Sequence, residues 1–428
     1  MAFHSTFRNF ANNMNKFHSF FEILPKRWGV TLLLLTVLLG VHAQTEVNGS
    51  VQTDTLRIPW EQRMRQTIDS LLTGEMFNTS QVGILVWDLK GDSAVYTRGA
   101  RQTMRPASTM KLVTAITALD KLGTDYMLRT KLCYTGTVEG RVLNGNLVCV
   151  GGMDPLFDLD DMRFFVESVK ALGVDSITGF VCADRSMKNA DLLGEGWCWD
   201  DDNPVLSPLV YNRKDQFIEA FAKELVAAGI KGVLTEKSES LGKAKDTRSI
   251  ICVRTHSIDQ ILLKMMKDSD NLFAECLFYQ LAAEAGHHPA TAKQSAAIIK
   301  QLIGDTGLDA SNYRIADGSG LSLYNYISPE LLVRLLRHAY RKQDIYRHLQ
   351  PALPIAGWDG TLKNRMDKTA AFANVRAKTG TVTGIISLAG YCTTADKRPL
   401  CFAIINQGVM SSRAARAFQD KLCIALCE

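Results

Sequence analysis

Ser108 and Lys111 have the residue types and the spacing of a serine nucleophile and its base. A serine hydroxyl is a weak nucleophile and needs a neighbouring group that takes its proton. Residues three apart on a helix lie on one face, so the two side chains would meet. The start of a helix also offers backbone N–H groups to a developing oxyanion. The run LVTAITAL after Lys111 is typical of a buried helix, whereas a second S-x-x-K, at 240–243, lies in a charged loop.

Ser269 and Asn271 form an S-x-N triplet between two helical patterns, within LLKMMKDSDNLFAECLFYQLA. A second hydroxyl can relay a proton, and a side-chain amide can both donate to a substrate and accept from it. Such triplets are common in loops, so this one alone predicts only a turn between helices.

Lys378, Thr379, Gly380 and Thr381 lie in the strand pattern RAKTGTVTGIISLAGY. Glycine weakens a strand unless something must approach its backbone closely, as a substrate that adds along the sheet edge would. The lysine charge and the two hydroxyls could hold a carboxylate. Each motif is weak alone, but the order S-x-x-K, S-x-N, K-T-G, with each motif on a fitting element, is specific.

The elements that must position these motifs come from both ends of the chain. The patterns predict a hairpin at 82–97, a helix at 106–122, strands at 375–391 and 399–406, and a helix at 411–426. Helix with hairpin at the start and strands with helix at the end favour one shared sheet. The middle of the chain has short strands and turns, which predicts an inserted α+β module.

Composition excludes several classes of protein. The chain has 428 residues, 46% hydrophobic and 22% charged, which suits two domains or one domain with a large insertion. The net charge of +5 is too small and too evenly spread for a dedicated nucleic-acid binder. The ten cysteines form no zinc-type spacing, and nothing calls for a metal or another cofactor. Most lie in apolar runs, which favours buried thiols over disulfides; Cys133 and Cys149 are the best pair to test.

The N-terminal segment is typical of a secretory signal peptide. Basic residues precede the uncharged run WGVTLLLLTVLLGV at 28–41, which is shorter than the about 20 residues that a membrane span needs. The small residue Ala43 completes a cleavage site. We therefore predict a signal peptide at 1–43, cleavage after Ala43 and an exported, periplasmic protein. An uncleaved membrane anchor is the alternative.

The motifs and the segments around them resemble the D-alanyl-D-alanine carboxypeptidase/endopeptidase family, the class C low-molecular-mass penicillin-binding proteins. The resemblance extends from about residue 80 to the end, through PASTMKLVTAITAL, GGMDPLF, GWCWDD, DGSGLSLYNYISPELL, LPIAGWDGTL and RAKTGTVTGIISLAGY. It implies an α/β (α+β) serine β-lactamase/D,D-peptidase, transpeptidase-like fold with a smaller inserted α+β domain. The main domain would comprise 44–130 and 250–428, and the insertion 131–249.

The resemblance also implies the chemistry. The family cleaves peptidoglycan stem peptides through an acyl-enzyme and binds β-lactam inhibitors. Carried over by motif, Ser108 would be the nucleophile and Lys111 its base. Ser269 would relay a proton to the leaving amine, and Asn271 would orient the substrate. The terminal carboxylate would be bound by Lys378, Thr379, Gly380 and Thr381. The backbone N–H groups of Ser108 and Thr381 would form the oxyanion hole. A free lysine has a pKa of about 10.4, and burial with the neighbouring charge of Lys378 would lower that of Lys111.

One departure and several alternatives stay open. The segment between Ser108 and Ser269 is shorter than in typical members, so an inner domain is missing or reduced after VLSPLVYNRKDQ. A β-lactamase or esterase on the same fold is an alternative, although no E-x-x-L-N pattern for deacylation is present. A non-catalytic cell-wall binding protein is another. The preference for carboxypeptidase or endopeptidase cleavage, the stem peptide and the oligomeric state do not follow from the sequence.

Asp201 in GWCWDD matches an acidic position that, in this family, faces the free amino end of the stem peptide. If it reads that charge, Asp201→Asn should lower kcat/KM about five- to tenfold for diaminopimelate-type peptides, as expected for an exposed ion pair. Peptides without the free amine should be cleaved as by the wild type. Equal loss on both peptides would instead assign Asp201 a structural role in its loop.

Overall fold

A computed structural model of the protein describes residues 58–199, 203–236 and 248–428. The predicted signal peptide at 1–43, Asp201 and the second S-x-x-K at 240–243 lie outside these residues. Within the described ranges, every helix is too short or too polar to cross a membrane.

The described residues form ten α-helices and thirteen β-strands. The helices are α1 (Trp60–Leu71), α2 (Met110–Leu122), α3 (Leu159–Ala171), α4 (Phe217–Ala227), α5 (Ile258–Lys267), α6 (Asn271–Glu284), α7 (Ala292–Asp305), α8 (Pro329–Arg341), α9 (Gln343–Ala352) and α10 (Ser412–Cys427). The strands are β1 (Gln81–Asp88), β2 (Ser93–Arg98), β3 (Met127–Tyr134), β4 (Thr137–Glu139), β5 (Val142–Asn144), β6 (Leu147–Val150), β7 (Ser176–Ile177), β8 (Phe180–Asp184), β9 (Leu234–Glu236), β10 (Ser249–Ser257), β11 (Arg376–Val382), β12 (Ile385–Thr393) and β13 (Pro399–Gln407).

The first sheet joins the two ends of the described chain, as the sequence predicts. Its strand order is β11-β12-β13-β1-β2, and each neighbouring pair is antiparallel. Strand β1 lies beside β13 in a register that pairs Ile84 with Ile404. The strand that carries Lys378, β11, is at the edge of this sheet. The outer side of its first residues is bridged to the 354–356 segment, where the Ala377 N–H donates to the carbonyl of Pro354 at 3.0 Å, so a substrate can add only beyond them.

Helices cover both faces of the first sheet, and β13 shows why. Successive side chains of a strand point to opposite faces. Leu400, Phe402 and Ile404 pack in one buried cluster with residues of α1 and α10. Cys401 and Ala403, which alternate with them, belong to the larger cluster formed with α2, α6 and α8. The continuous apolar run of β13 therefore fits a strand buried on both sides.

Two helices run through the centre of that larger cluster. All residues of α2 from Met110 to Leu119 are buried, and so are all residues of α6 from Leu272 to Ala283. The two helices pack against each other. Since each is surrounded by protein on every side, the polar groups that they carry at their N-terminal ends face a largely dry interior.

The middle of the chain builds a second sheet, of order β10-β3-β6-β8-β9. Helices α3 and α4 cover it through a cluster of phenylalanines, in which the ring centroids of Phe157 and Phe217 are 4.7 Å apart. A small third sheet has the order β4-β5-β7. The predicted domain limits at 130/131 and 249/250 fall within β3 and at the start of β10, which pair with each other.

The cysteine pair singled out in the sequence does not form a disulfide. Cys133 and Cys149 are both buried thiols on adjacent strands. Cys133 is opposite Val148, and Cys149 is opposite Leu132, so the two side chains point to opposite faces of the sheet.

Candidate active site

Ser108 lies in a short 3-10 turn, Ala107–Thr109, that leads directly into α2. Ala107 has a positive φ of 49°, an unfavourable conformation for alanine that the surroundings must hold. On one side Ser387 of β12 donates a hydrogen bond to the carbonyl of Pro106, at 2.6 Å. On the other side, a Cβ on Gly320 would be 1.9 Å from the carbonyl oxygen of Ala107. The turn is therefore clamped between the sheet and the 317–325 loop, with Ser108 half-buried between them.

Lys111 is fully buried one turn after Ser108. Its Nζ donates to Ser108 Oγ at 3.0 Å, to Asn271 Oδ1 at 2.7 Å and to the carbonyl of Ser319 at 2.9 Å. Burial lowers the pKa of Lys111 to about 8, against the opposing effect of nearby carboxylates, of which Asp317 is the strongest. This lysine is thus placed and tuned to exchange a proton with the Ser108 hydroxyl.

Ser269 and Asn271 lie where α5 ends and α6 begins. Ser269 has a positive φ of 60°, and Asp270 caps α6 by accepting from the Leu272 N–H at 2.9 Å. The Asp270 carboxylate also forms an ion pair with Arg213. This turn directs the Asn271 amide oxygen at Lys111 and the Ser269 hydroxyl at the edge strand.

Lys378 is the second fully buried lysine of the site. Its Nζ donates to Ser269 Oγ at 2.8 Å and to the carbonyl of Thr379 at 2.7 Å. Burial, and then the charge of Lys111, hold the pKa of Lys378 well below its usual range. Burial is the first cause of the lowered pKa at both lysines, as expected from the sequence, and the charges of the two neighbouring amines repel each other.

Gly380 is the point at which the edge strand approaches the nucleophile. A Cβ on Gly380 would be 2.9 Å from the backbone N of Ser108 and 2.2 Å from Ser387 Oγ. The close approach anticipated from a glycine within a strand is thus an approach to Ser108 itself. Thr381 follows Gly380 directly, so its backbone lies next to the nucleophile-bearing turn.

The two threonine hydroxyls flank that point and have partners that the sequence did not indicate. Thr379 Oγ1 is hydrogen-bonded to Thr361 Oγ1 at 2.7 Å. The Nη2 of Arg416, on α10, donates to Thr381 Oγ1 at 3.4 Å. The structure therefore brings together all eight predicted site residues that it describes; the ninth, Asp201, lies outside the described residues.

Two buried carboxylates, which sequence reasoning missed, shape the wall behind Lys111. Glu275 accepts from the backbone N–H groups of Gly318 and Ser319, at 3.1 and 2.8 Å, and burial raises its pKa to about 8. Asp317 accepts from the Gly320 N–H at 2.8 Å and from the indole N–H of Trp197 at 2.9 Å. In the sequence, Glu275 is the single acid in the apolar helix run NLFAECLFYQLA, and Asp317 is the first residue of the DGSG turn.

Comparison with known proteins agrees with this geometry. The sequence model of the D-Ala-D-Ala carboxypeptidase 3 (S13) family matches residues 64–210 and 206–426. The chain belongs to this family. The D-alanyl-D-alanine carboxypeptidase DacB of Haemophilus influenzae is 24% identical over 81% of this chain and 90% of that protein. The D-alanyl-D-alanine carboxypeptidase of an Actinomadura species is 25% identical over 93% and 89%.

The fold of this S13 family member is also that of a solved structure. Penicillin binding protein 4 (dacB) from Haemophilus influenzae superposes with a TM-score of 0.73 at 21% identity, covering 84% of this chain and 98% of that one. A second structure of that protein, in complex with a β-lactam, gives a TM-score of 0.69 at 23% identity, covering 83% and 98%. The predicted fold class and the predicted enzyme class, a D-Ala-D-Ala carboxypeptidase, are confirmed.

The packing at Gly380 gives a direct test of how closely β11 must approach Ser108. In Gly380→Ala the new methyl would overlap Ser387 Oγ and the backbone of the nucleophile-bearing turn. We expect a loss of about 1–3 kcal/mol in the free energy of unfolding, as for overpacking of a tight contact, together with slower acylation by a β-lactam. Gly304→Ala, on α7 with open space around it, is the control and should leave both measurements unimpaired. Wild-type acylation by Gly380→Ala would mean that the strand can move without consequence.

Proposed function

We propose that the protein hydrolyses D-Ala-D-Ala ends, or the equivalent cross-links, of peptidoglycan stem peptides through an acyl-enzyme on Ser108. The observation that carries the proposal is the 3.0 Å hydrogen bond between Lys111 Nζ and Ser108 Oγ, made by a buried lysine whose pKa is lowered to about 8. A lysine with such a pKa is neutral in part of the population near neutral pH and can act as a base.

In the first half-reaction, neutral Lys111 takes the Ser108 proton while Oγ attacks the carbonyl of the penultimate D-alanine. The oxyanion would be held by the backbone N–H groups of Ser108 and Thr381, a pairing supported by the contact of Gly380 with the Ser108 backbone. Collapse of this intermediate breaks the C–N bond and releases an amine, which needs one proton.

Ser269 suits the delivery of that proton. Its Oγ accepts a hydrogen bond from Lys378, so its own hydrogen remains available to donate to the leaving nitrogen. The proton that Lys111 took from Ser108 then restores the Ser269 hydroxyl, which leaves Lys111 neutral again. Water attacks the acyl-enzyme, Lys111 takes one of its protons and passes it to Ser108 Oγ as the C–O bond to the acyl group breaks. The products are the shortened peptide and the amine of the leaving residue, with no other reactant consumed.

Substrate placement follows from the open edge of β11. An extended peptide can add along this strand as in β-augmentation, with the carboxylate of the leaving residue near the hydroxyls of Thr379 and Thr381 and near Lys378. Asn271, which accepts from Lys111, also has an amide N–H2 that can donate to a substrate carbonyl. β-Lactams would occupy the same place, since their strained amide and carboxylate have the same arrangement.

The setting of this activity is a further part of the proposal. A signal peptide at 1–43 and peptidoglycan as substrate point to a periplasmic enzyme. Residues 131–249 would be an insertion that is shortened relative to other members. This is supported by the family match, which falls into two segments that meet at 206–210, inside the run after which an inner domain was predicted to be missing.

Benzylpenicillin should acylate Ser108 in stoichiometric amount. Intact-mass analysis should show one adduct of the mass of the inhibitor, and peptide mapping should place it on the peptide that contains Ser108. Ser108→Ala should remove the adduct and the turnover of a D-Ala-D-Ala peptide together. An adduct on Ser269 or in the 240–243 segment would overturn the assignment of the nucleophile.

The rate of acylation should depend on pH through Lys111. The neutral, base-competent fraction of a lysine rises as pH increases through its pKa, so the second-order rate constant should rise from pH 6 and level off above the value of about 8. Lys111→Ala should lower the rate by about 10²–10⁴-fold, the usual worth of general-base catalysis. Lys121→Ala, on the exposed end of the same helix, is the control and should keep the wild-type profile. A flat profile for the wild type would remove Lys111 from the base role.

A further inference from the structure

The carboxylate of the leaving residue needs a counter-charge, and Lys378 is poorly suited to supply it. Lys378 is fully buried, its pKa lies well below the usual range, and its Nζ is engaged by Ser269 and by the carbonyl of Thr379. No part of the Lys378 side chain is exposed, and both of these hydrogen-bond partners belong to the protein. The cation that meets a carboxylate at this edge should therefore be sought elsewhere.

Arg416 has the position and the charge that are required. Its side chain is exposed, and its Nη2 is 3.4 Å from Thr381 Oγ1, the hydroxyl proposed to contact the substrate. A guanidinium stays protonated at any pH at which the enzyme works, and its fork matches a carboxylate. Among the described residues, no carboxylate lies within ion-pair distance of Arg416, so its charge is not already neutralised.

The backbone beneath Arg416 is fixed relative to the edge of the site. Gln419, one turn later on α10, donates to the carbonyl of Ile386 at 3.1 Å, and Ile386 is the residue that pairs with Thr381. The carbonyl of Arg416 accepts from Arg365 at 3.4 Å, and Arg365 is held by an ion pair with Asp420 at 2.7 Å. Helix α10 therefore presents Arg416 at a set distance from Thr381, with only the side chain free to adjust.

We propose that Arg416 binds the α-carboxylate of the leaving residue and makes the enzyme prefer substrates that carry this charge. The inference rests on the proposed function and names the charge that its site reads. Two sources present the same chemistry: the C-terminal carboxylate of a terminal D-alanine, and the α-carboxylate of a diamino acid whose amine forms a cross-link. In both, the carboxylate is attached to the carbon that bears the scissile nitrogen.

The test compares matched substrates with and without that charge. One pair is a stem peptide ending in D-Ala-D-Ala and the same peptide as the C-terminal carboxamide. The second pair is a cross-linked dimer whose diamino acid carries either a carboxylate or a carboxamide beside the scissile bond. Arg416→Gln should raise KM for the charged member about five- to tenfold, as for an exposed charge pair, with kcat nearly unchanged. The variant should cleave the uncharged substrates as the wild type does. If the effect appears in the first pair, Arg416 binds the carboxylate of a terminal D-alanine; if it appears in the second, Arg416 binds that of the cross-linked diamino acid.

Three further measurements separate recognition from a structural role. Arg416→Lys should retain part of the preference because it keeps the charge, and the wild-type preference should shrink at high salt because an exposed pair is screened. Lys421→Gln, which removes one positive charge from an exposed position of the same helix, should behave as the wild type. Equal loss on charged and uncharged substrates would mean that Arg416 only supports Thr381, and this result, or no loss at all, overturns the inference. If the wild type fails to turn over either peptide and forms no penicillin adduct on Ser108, the proposed function itself fails.

Discussion

The site depends on keeping one lysine neutral enough to work as a base inside the protein. Lys111 has no exposed surface, and burial lowers its pKa to about 8 because a low-dielectric interior disfavours the charged form. Its three hydrogen-bond acceptors come from the turn before α2, from α6 and from the 317–325 loop. Since these elements meet only when the helical core is assembled, the tuning of the base is a property of the whole fold rather than of the S-x-x-K motif.

The two buried lysines of the site contact different serines. Each serine has its own amine: Ser108 with Lys111, and Ser269 with Lys378. Two buried ammonium groups in one site repel each other, and this repulsion adds to burial in lowering the pKa of Lys378. In the proposed reaction, Lys378 serves the proton relay through Ser269. Arg416, which is exposed and contacts Thr381 at the same edge, is the proposed partner of the substrate carboxylate.

The sequence predicts the motif residues because their signals are local, and it fails where contacts connect distant segments. The spacing of Ser108 and Lys111, and the order of the three motifs, suffice to indicate the two serines and two lysines that the structure brings together. Thr361 and Arg416 could not be found in this way, because each reaches its threonine from an element far along the chain. The apolar periodicity at 59–77 predicts one helix, but α1 ends at Leu71 and residues 75–78 form a separate 3-10 turn.

Glu275 shows how a buried acid can support a base instead of disabling it. An ionised carboxylate close to Lys111 would stabilise the ammonium form and raise its pKa. Burial and the proximity of Asp317 raise the pKa of Glu275 to about 8, and the effect of Glu275 on the pKa of Lys111 is outweighed by the larger, opposite effect of burial. Its oxygens still accept from the Gly318 and Ser319 N–H groups and so hold the carbonyl of Ser319 towards Lys111. The acid therefore helps to position the Ser319 carbonyl, while burial still keeps the pKa of Lys111 below its usual value.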